Sequence, residues 1–225
     1  MMTPFATLTI GQAPRSDIMP LLMEYLPEES VTHIGLLDAM TAEEIELRYS
    51  PEEGEPVLVS RLLDGTQIAL GSRSVEQGLQ EKIDWLEALG CETILLLCTG
   101  VFESLRAQNA MLLEPDRIIP PLIRAIVGTH QVGIVVPIES QIAEQAIKWS
   151  KLPKAPCFAV ASPYLADEAK LTAAALSLEE QGAQVVVLDC IGYHRQHSDL
   201  LQSKLGIPVL LSNVLVAKLA AELIV

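Results

Sequence analysis

The chain has 225 residues, of which 15 are Lys or Arg and 29 are Asp or Glu, so its formal net charge is −14. Half of the residues are hydrophobic, which excludes disorder over most of the length and provides for a large core. Because phosphate binding needs concentrated Lys and Arg, the acidic balance argues against nucleic acid and anionic membranes as partners.

Apolar runs rich in Val, Ile and Leu recur along the chain and alternate with longer helical patterns. None of these runs alternates between apolar and polar residues, which is typical of strands buried on both faces. The predicted strands are, in chain order, Phe5–Ile10, Val31–Leu37, Thr93–Cys98, Gln131–Val136, Cys157–Ala161, Gln184–Asp189 and Pro208–Leu211. With helices between them, they predict an α/β fold with mostly parallel sheets.

Helices are predicted where apolar residues recur at helical spacing. Three such stretches are Ser74–Leu89, Ile138–Ser150 and Asp167–Gln181. The first of them places one apolar face toward a core, formed by Val75, Leu79, Ile83 and Leu86.

The segment 38–71 has no counterpart in the second half of the chain. It contains an acidic helical pattern, Thr41–Tyr49, in which Thr41 stands in capping-box register with the glutamate three places on. Two strand-like arms, Val57–Leu63 and Gln67–Leu70, flank an Asp64-Gly65 turn and predict a hairpin. We interpret the segment as an insertion in a first lobe that could line a ligand cleft.

The two halves of the chain read alike. Each has a strand that ends in Cys-x-Gly, at Cys98 and at Cys190, then a helix, an Ile-Pro pair and an apolar helix. The repetition predicts two pseudo-symmetric lobes, each a mostly parallel sheet flanked by helices, with a cleft between them. We assign residues 1–114 with 213–225 to the first lobe and 115–212 to the second.

We expect neither a signal peptide nor a membrane span. The first basic side chain is Arg15, so the N-terminus reads as a strand. A membrane span needs about 20 largely uninterrupted apolar residues, and the C-terminal apolar run is interrupted by Ser212, Asn213, Lys218 and Glu222. The cysteines are too sparse for a disulfide scaffold and form no C-x-x-C pair, so we expect a soluble, cytoplasmic protein without a metal site.

Cys98 and Cys190 are the residues most indicative of chemistry. Ligands of open α/β sheets bind outside the carboxyl ends of the strands, and a thiol near the start of the next helix ionises more readily. Two such thiols could act as two bases, one removing a proton from a carbon and the other returning one to the opposite face. The two sulfurs would then lie about 6–8 Å apart. The alternative is that both are ordinary buried cysteines, which is the interpretation we give to Cys91 and Cys157 at the opposite strand ends.

The loop after the first predicted strand offers ligand contacts. Gly11 permits close backbone approach, Gln12 offers hydrogen bonds, and Arg15 could hold a carboxylate through two bonds. The alternative is a surface turn with Arg15 in solvent. Ser140, in the equivalent loop of the second lobe, could serve as a ligand donor or a helix cap. His194 could act on Cys190 as a neighbouring cation, although we favour a solvated side chain. No dinucleotide or Walker A motif occurs, and we expect no cofactor.

Five segments stand out as a set: TIGQAPRSD, LEPDRIIPPLI, HQVGIVVP, VVLDCIGYHRQH and PVLLSNVLVAKLAAEL. Together they resemble the AroM family over essentially the whole chain. That family is similar to the Asp/Glu racemase superfamily, which includes aspartate, glutamate and hydantoin racemases and maleate isomerase. The resemblance implies two pseudo-symmetric α/β lobes, no cofactor, and one cysteine from each lobe at a site between them.

By this resemblance Cys98 and Cys190 match the paired acid/base thiols. Thr99 and Gly100 fall where the superfamily contacts a substrate carboxylate, and LDCIGY looks like the second-cysteine motif of the hydantoin racemases. The GQAPR loop and the CTG sequence depart from the better-studied racemases, so contacts in the first loop are not carried over. Backbone N–H groups of Thr99, Gly100, Ile191 and Gly192 could stabilise an enolate-like intermediate.

Two functions are therefore predicted. The first is a cofactor-independent racemase or isomerase that acts on a small carboxylate or cyclic amide through two cysteines. The second is a non-catalytic protein on a racemase-like fold that binds a small anionic metabolite through Gln12 and Arg15. The apolar C-terminal helix of a small acidic α/β protein is compatible with a homodimer.

Overall fold

The computed structural model describes residues 4–165 and 167–224. These residues form ten β-strands and eight α-helices. The strands are β1 Phe5–Thr9, β2 Val31–Gly35, β3 Val57–Arg61, β4 Gln67–Gly71, β5 Thr93–Leu97, β6 Met111–Leu113, β7 Val132–Val136, β8 Cys157–Val160, β9 Val185–Leu188 and β10 Val209–Leu211. The helices are α1 Met19–Leu22, α2 Ala42–Tyr49, α3 Ser72–Ala88, α4 Pro115–Val127, α5 Ile142–Lys148, α6 Glu168–Glu180, α7 Arg195–Leu205 and α8 Ser212–Ala221.

The chain divides into two compact units. The first contains Met1–Pro115 and Ala217–Val225, and the second contains Asp116–Val216. Each unit holds a four-stranded sheet, β2-β1-β5-β6 in the first and β8-β7-β9-β10 in the second, and all of the strand pairs in both sheets are parallel. If the strands of each sheet are numbered in chain order, both sheets have the order 2-1-3-4. The predicted α/β fold with two similar parallel sheets is confirmed.

In the first unit, α3 packs its predicted apolar face into the core. Strands β1 and β5 are buried along their whole length, so both of their faces are covered. The four residues of the α3 face are fully buried in one cluster with residues of these strands: Val75, Leu79, Ile83 and Leu86. The helical spacing of apolar residues predicted this face correctly.

The insertion has the two elements that its sequence predicts. The Glu44 N–H donates to Thr41 Oγ1 at 3.2 Å, and the Thr41 N–H donates to Glu44 Oε2 at 2.9 Å, which completes the capping box at the start of α2. Strands β3 and β4 pair antiparallel with Arg61 opposite Gln67. Gly65 lies in the turn between them with a φ of 89°, a conformation that favours glycine.

The helix predicted after Cys98 does not form. Residues 98–110 are a loop that leads to β6, a short strand at the sheet edge that no sequence pattern indicated. Polar side chains of α3 accept hydrogen bonds from the backbone of this loop. Glu76 binds the N–H of Ser104, Gln80 binds that of Arg106, and Glu87 binds those of Gln108, Asn109 and Ala110. These bonds satisfy N–H groups that a helix would satisfy internally.

The central strands of the second unit are buried like those of the first. Strands β7 and β9 are buried throughout. The predicted helix Ile138–Ser150 is a short 3₁₀ turn, Glu139–Gln141, followed by α5. Asp167 caps α6 by accepting a bond from the Lys170 N–H at 3.0 Å. None of the helices in the described parts of the chain combines the length and apolar character needed to cross a membrane.

Candidate functional site

Cys98 directly follows the third strand of the first sheet and is 8% exposed. Because Thr9 of β1 pairs in parallel with Leu97 of β5, the loop after β1 begins beside Cys98. The Gly100 N–H donates to Cys98 Sγ at 3.3 Å, and Thr99 between them is buried. An N–H group directed at sulfur favours the thiolate. The first predicted thiol thus lies at the strand end where ligands of such sheets bind.

Cys190 lies in the same kind of turn in the second unit. It lies two residues after β9, is also 8% exposed, and its Sγ accepts from the Gly192 N–H at 3.5 Å. The Tyr164 hydroxyl lies 3.5 Å from the same sulfur. Ile191 is buried, and its carbonyl accepts a bond from Asn213 Nδ2 at 2.8 Å. The same Cys-x-Gly turn therefore follows the third strand of both sheets.

The other two cysteines lie at the opposite strand ends and have a different environment. Cys91 Sγ donates to the carbonyl oxygens of Thr93 at 3.2 Å and Pro4 at 3.4 Å. Cys157 Sγ donates to the carbonyl oxygen of Val132 at 3.5 Å. Burial raises the pKa of both thiols. Cys91 and Cys157 are thus protonated donors, whereas the sulfurs of the two Cys-x-Gly turns accept N–H bonds.

A buried ion pair fixes the residue before Cys190. Asp189 Oδ2 accepts from Lys148 Nζ at 2.7 Å and from Trp149 Nε1 at 3.1 Å, and Ser212 Oγ donates to Asp189 Oδ1 at 3.3 Å. The side chains of Lys148 and Asp189 are only 3% and 0% exposed. Residues at the end of α5 and the start of α8 therefore hold the strand end that carries Cys190. The sequence signal for this ion pair is a carboxylate, Asp189, at the end of an otherwise apolar strand.

Strand β3 of the hairpin crosses the strand ends of the first sheet. A Cβ on Gly11 would lie 2.5 Å from the Arg61 carbonyl oxygen and 2.6 Å from Ser60 Oγ. A Cβ on Gly100 would lie 2.5 Å from Leu58 Cδ2 of the same strand. The backbone at Gly11 is therefore closely approached, as predicted, but by strand β3 of the hairpin. Packing against this strand is enough to require a glycine at position 11. Its role in ligand binding stays a prediction.

Gln12 and Arg15 both hold partners within the first unit. Gln12 Nε2 donates to the Leu37 carbonyl at 3.3 Å, and Gln12 Oε1 accepts from the Leu63 N–H at 3.0 Å, which ties the hairpin to the loop after β2. Arg15 is 4% exposed, and its Nε and Nη2 donate to the two carboxylate oxygens of Asp17 at 2.8 and 2.6 Å. Arg15 is thus not in solvent, and its guanidinium already binds a carboxylate in the geometry predicted for a ligand.

A cavity of about 210 Å³ lies beside this loop. Its lining comes from residues 12–17 and from the hairpin turn at 61–65. Two guanidinium groups, of Arg15 and Arg61, and two carboxylates, of Asp17 and Asp64, belong to that lining. Arg61 Nε also donates to the Gly65 carbonyl at 2.7 Å. The cavity has the size and the charged groups to suit a small polar metabolite.

The remaining predicted residues lie in the second unit. Ser140 is exposed in the 3₁₀ turn Glu139–Gln141. His194 is half-buried before α7, and its backbone N–H donates to His197 Nδ1 at 2.9 Å. Burial, with His194 as a smaller cause, lowers the pKa of His197 to about 4, so this ring is neutral at pH 7. Within residues 4–165 and 167–224, no three His, Cys, Asp or Glu side chains are arranged to hold a metal ion.

Two units with one strand order, each with a Cys-x-Gly turn after the third strand of its sheet, define a two-unit α/β protein with parallel sheets. The chain belongs to the AroM family, because the family model described as "AroM protein" matches residues 5–224. The family resemblance of the sequence is thereby confirmed. No curated protein matches the sequence at a significant level.

Solved structures with this fold include racemases and a decarboxylase. Glutamate racemase isoform RacE1 from Bacillus anthracis has 13% identity and a TM-score of 0.61, over 98% of this chain and 81% of that one. Unliganded arylmalonate decarboxylase has 15% identity and a TM-score of 0.56, over 98% and 92%. Allantoin racemase from Pseudomonas fluorescens has 15% identity and a TM-score of 0.54, over 97% and 90%. At these identities the similarity shows the fold.

Proposed function

We propose that this protein is a cofactor-independent racemase or isomerase that uses Cys98 and Cys190 as acid and base on a small carboxylate or cyclic amide. The observation that carries this proposal is the repeated turn. In each unit a sulfur at the carboxyl end of the sheet's third strand, β5 or β9, accepts an N–H bond from the glycine two residues later, at 3.3 Å for Cys98 and 3.5 Å for Cys190. The racemases among the proteins of similar fold support the reaction class.

The reaction moves one proton off a carbon and another onto its opposite face. One cysteine, as thiolate, takes the proton from the carbon next to a carbonyl group, and the electron pair is delocalised onto the carbonyl oxygen. The other cysteine, as thiol, then donates its proton to the carbon. The negative oxygen needs hydrogen-bond donors. We assign this role to the backbone N–H groups of Thr99 and Ile191. The other two predicted donors, Gly100 and Gly192, direct their N–H groups at the sulfurs.

Solvent-deuterium exchange tests the proposal directly. Candidate substrates, among them glutamate, aspartate, allantoin and simple hydantoins, are incubated with the protein in D₂O, and loss of the α-proton is followed by NMR. We expect exchange with at least one of them, accompanied by inversion of configuration, and we expect Cys98→Ser and Cys190→Ser to abolish the inversion, because it needs a proton donor or acceptor on each face of the carbon. Serine keeps the size and hydrogen-bonding capacity of cysteine but is a much weaker acid, so little of it is ionised at neutral pH.

The chain provides its own matched controls. Cys91→Ser and Cys157→Ser make the same substitution at the other strand ends, where the hydroxyl can keep the bond to a carbonyl oxygen. Both controls should retain the rate of inversion. Inversion at the wild-type rate in either Cys98→Ser or Cys190→Ser would contradict the two-base mechanism. So would a crystal structure in which the two sulfurs are not about 6–8 Å apart.

Binding of a small anion without turnover is the second candidate, and the cavity beside Arg15 favours it. An anion there would compete with Asp17 for the guanidinium of Arg15. We expect small carboxylates to raise the melting temperature, to do so equally in a Cys98→Ser/Cys190→Ser variant, and to lose the effect in Arg15→Ala. A shift that persists in Arg15→Ala would exclude this binding site.

A further inference from the structure

We propose that Tyr164 controls the ionisation of Cys190 by donating a hydrogen bond from its hydroxyl to the Cys190 thiolate. Its importance for turnover rests on the proposed function, whereas the interaction itself can be measured without a substrate. Tyr164 is thus a positioning residue that acts through Cys190. It lies in the loop after β8, a part of the chain that no sequence motif marked.

The geometry of the second unit holds the tyrosine over the Cys-x-Gly turn. Tyr164 Oη lies 3.5 Å from Cys190 Sγ. The Tyr164 N–H donates to Ser162 Oγ at 3.2 Å, which fixes the backbone of its loop. A Cβ on Gly192 would collide with Tyr164 Cε1 and would lie 2.7 Å from both Cζ and Oη of the same ring. The tyrosine ring therefore packs on the one residue of the turn that lacks a side chain.

The direction of the hydrogen bond follows from the acidities of the two groups. A thiolate can only accept, and an unperturbed phenol, with a pKa of about 10, holds its proton more firmly than a thiol, with a pKa of about 8.5. When Cys190 ionises, the proton therefore stays on Tyr164 and points at the sulfur. The Gly192 N–H, at 3.5 Å from the same sulfur, also donates to it, so donors from the loops after β8 and after β9 meet at this thiolate. Hydrogen bonds to a charged acceptor are the stronger kind, so the hydroxyl favours the ionised form.

Tyr193 provides a matched control beside the same cysteine. It is fully buried, but its hydroxyl donates to the Ala161 carbonyl oxygen at 2.6 Å. Burial, with smaller contributions from Cys190, Tyr164 and Asp189, raises the pKa of Tyr193, so its hydroxyl keeps its proton. Removing this hydroxyl tests for a general effect of losing a nearby tyrosine hydroxyl.

The experiment follows the ionisation of Cys190 by NMR of carbon-labelled cysteine, with Cys190→Ser to assign its signal. In Tyr164→Phe we expect the pH midpoint of Cys190 to rise by about one unit, which is about tenfold less thiolate below the midpoint. The rate of alkylation of Cys190 by iodoacetamide should fall by about the same factor. Gly192→Ala should raise the midpoint as well, because the new methyl group displaces the tyrosine ring. It should add nothing when Tyr164 is already phenylalanine.

Tyr193→Phe should leave the midpoint of Cys190 unchanged. An unchanged midpoint in folded Tyr164→Phe would overturn the proposal, and so would an equal rise in Tyr193→Phe. If Tyr164→Phe does not fold, Gly192→Ala decides, since a midpoint equal to wild type would then refute the contact. Absence of deuterium exchange with every substrate would contradict the proposed function instead, and would not change the titration of Cys190.

Discussion

Replacing Lys148 by methionine should lower the free energy of unfolding by about 3 kcal/mol. Lys148 Nζ and Asp189 Oδ2 are 2.7 Å apart and both side chains are almost completely buried. Removing one partner of a buried pair typically costs about 3–5 kcal/mol, because the other charge stays in the interior. Trp149 Nε1 and Ser212 Oγ still donate to the Asp189 carboxylate in the variant, so we expect the lower end of that range.

The loss is measured by urea and thermal unfolding. For a chain of this size each kcal/mol corresponds to about 2–4 °C, so we expect a melting temperature about 6–12 °C lower. The fluorescence of Trp149, which is buried beside the ion pair, reports on the second unit specifically. Lys170→Met is the matched control, because it removes the lysine of an exposed ion pair. The Lys170 side chain is 64% exposed, and its Nζ lies 3.9 Å from Asp167 Oδ2. An exposed pair contributes at most about 1 kcal/mol.

Removing both charges separates the cost of leaving one buried charge unpaired from the cost of altered packing. Lys148→Met combined with Asp189→Leu leaves no buried charge, and replacement of a buried pair by apolar residues is often neutral. We expect the double variant to be more stable than Lys148→Met alone. Two results would contradict this reasoning. One is a loss of stability in Lys148→Met no larger than that in Lys170→Met. The other is a loss in the double variant equal to the sum of the losses in the single variants Lys148→Met and Asp189→Leu.

Three further predictions concern single contacts. Gly11→Ala should speed amide exchange in β3, because the new Cβ would lie 2.5 Å from the Arg61 carbonyl oxygen, and unchanged protection would contradict the proposed packing. Burial raises the pKa of Glu87, but bonds from the N–H groups of residues 108, 110 and 109 outweigh it and lower the pKa below 4.5. Protection of this loop should therefore be full above pH 4.5 and fall as the pH drops through the lowered pKa. In Glu87→Gln protection should be weaker than in wild type above pH 4.5, and this difference should disappear below the lowered pKa, where the wild-type side chain is neutral as well. Burial lowers the pKa of His197 from 6.5 to about 4. Its contribution to the free energy of unfolding should therefore be complete above pH 6.5 and be lost as the pH falls from 6.5 through 4. The variant His197→Asn should lack this pH dependence.

Local patterns in the sequence predicted those features whose hydrogen bonds and burial are themselves local. The apolar face of α3 repeats every three or four residues, and the capping box at Thr41 closes within a single turn. The hairpin follows from a Gly65 turn between two strand-like arms. The loop after Cys98 was predicted wrongly because its backbone bonds go to side chains of α3, an interaction that no local pattern records.

The two candidate thiols could be located from the sequence, but most of their neighbours could not. Cys98 and Cys190 follow apolar strands that are easily recognised. Asn213, whose amide donates to the Ile191 and Tyr193 carbonyls, is recognisable in the sequence as a polar residue inside an apolar run. No sequence pattern indicates Tyr164, because its position over Gly192 depends on how β8 and β9 are ordered in the sheet.

The fold alone does not choose between the reactions of its known members, because racemases and a decarboxylase share it. The number of cysteines that each reaction needs does differ. Decarboxylation breaks a carbon–carbon bond and leaves a carbanion that one proton donor can complete, whereas racemisation through two bases needs a group on each face of the carbon. An enzyme with one proton donor would lose activity in only one of Cys98→Ser and Cys190→Ser. Since both sulfurs here accept an N–H bond from the glycine of the same turn, we expect both substitutions to abolish turnover.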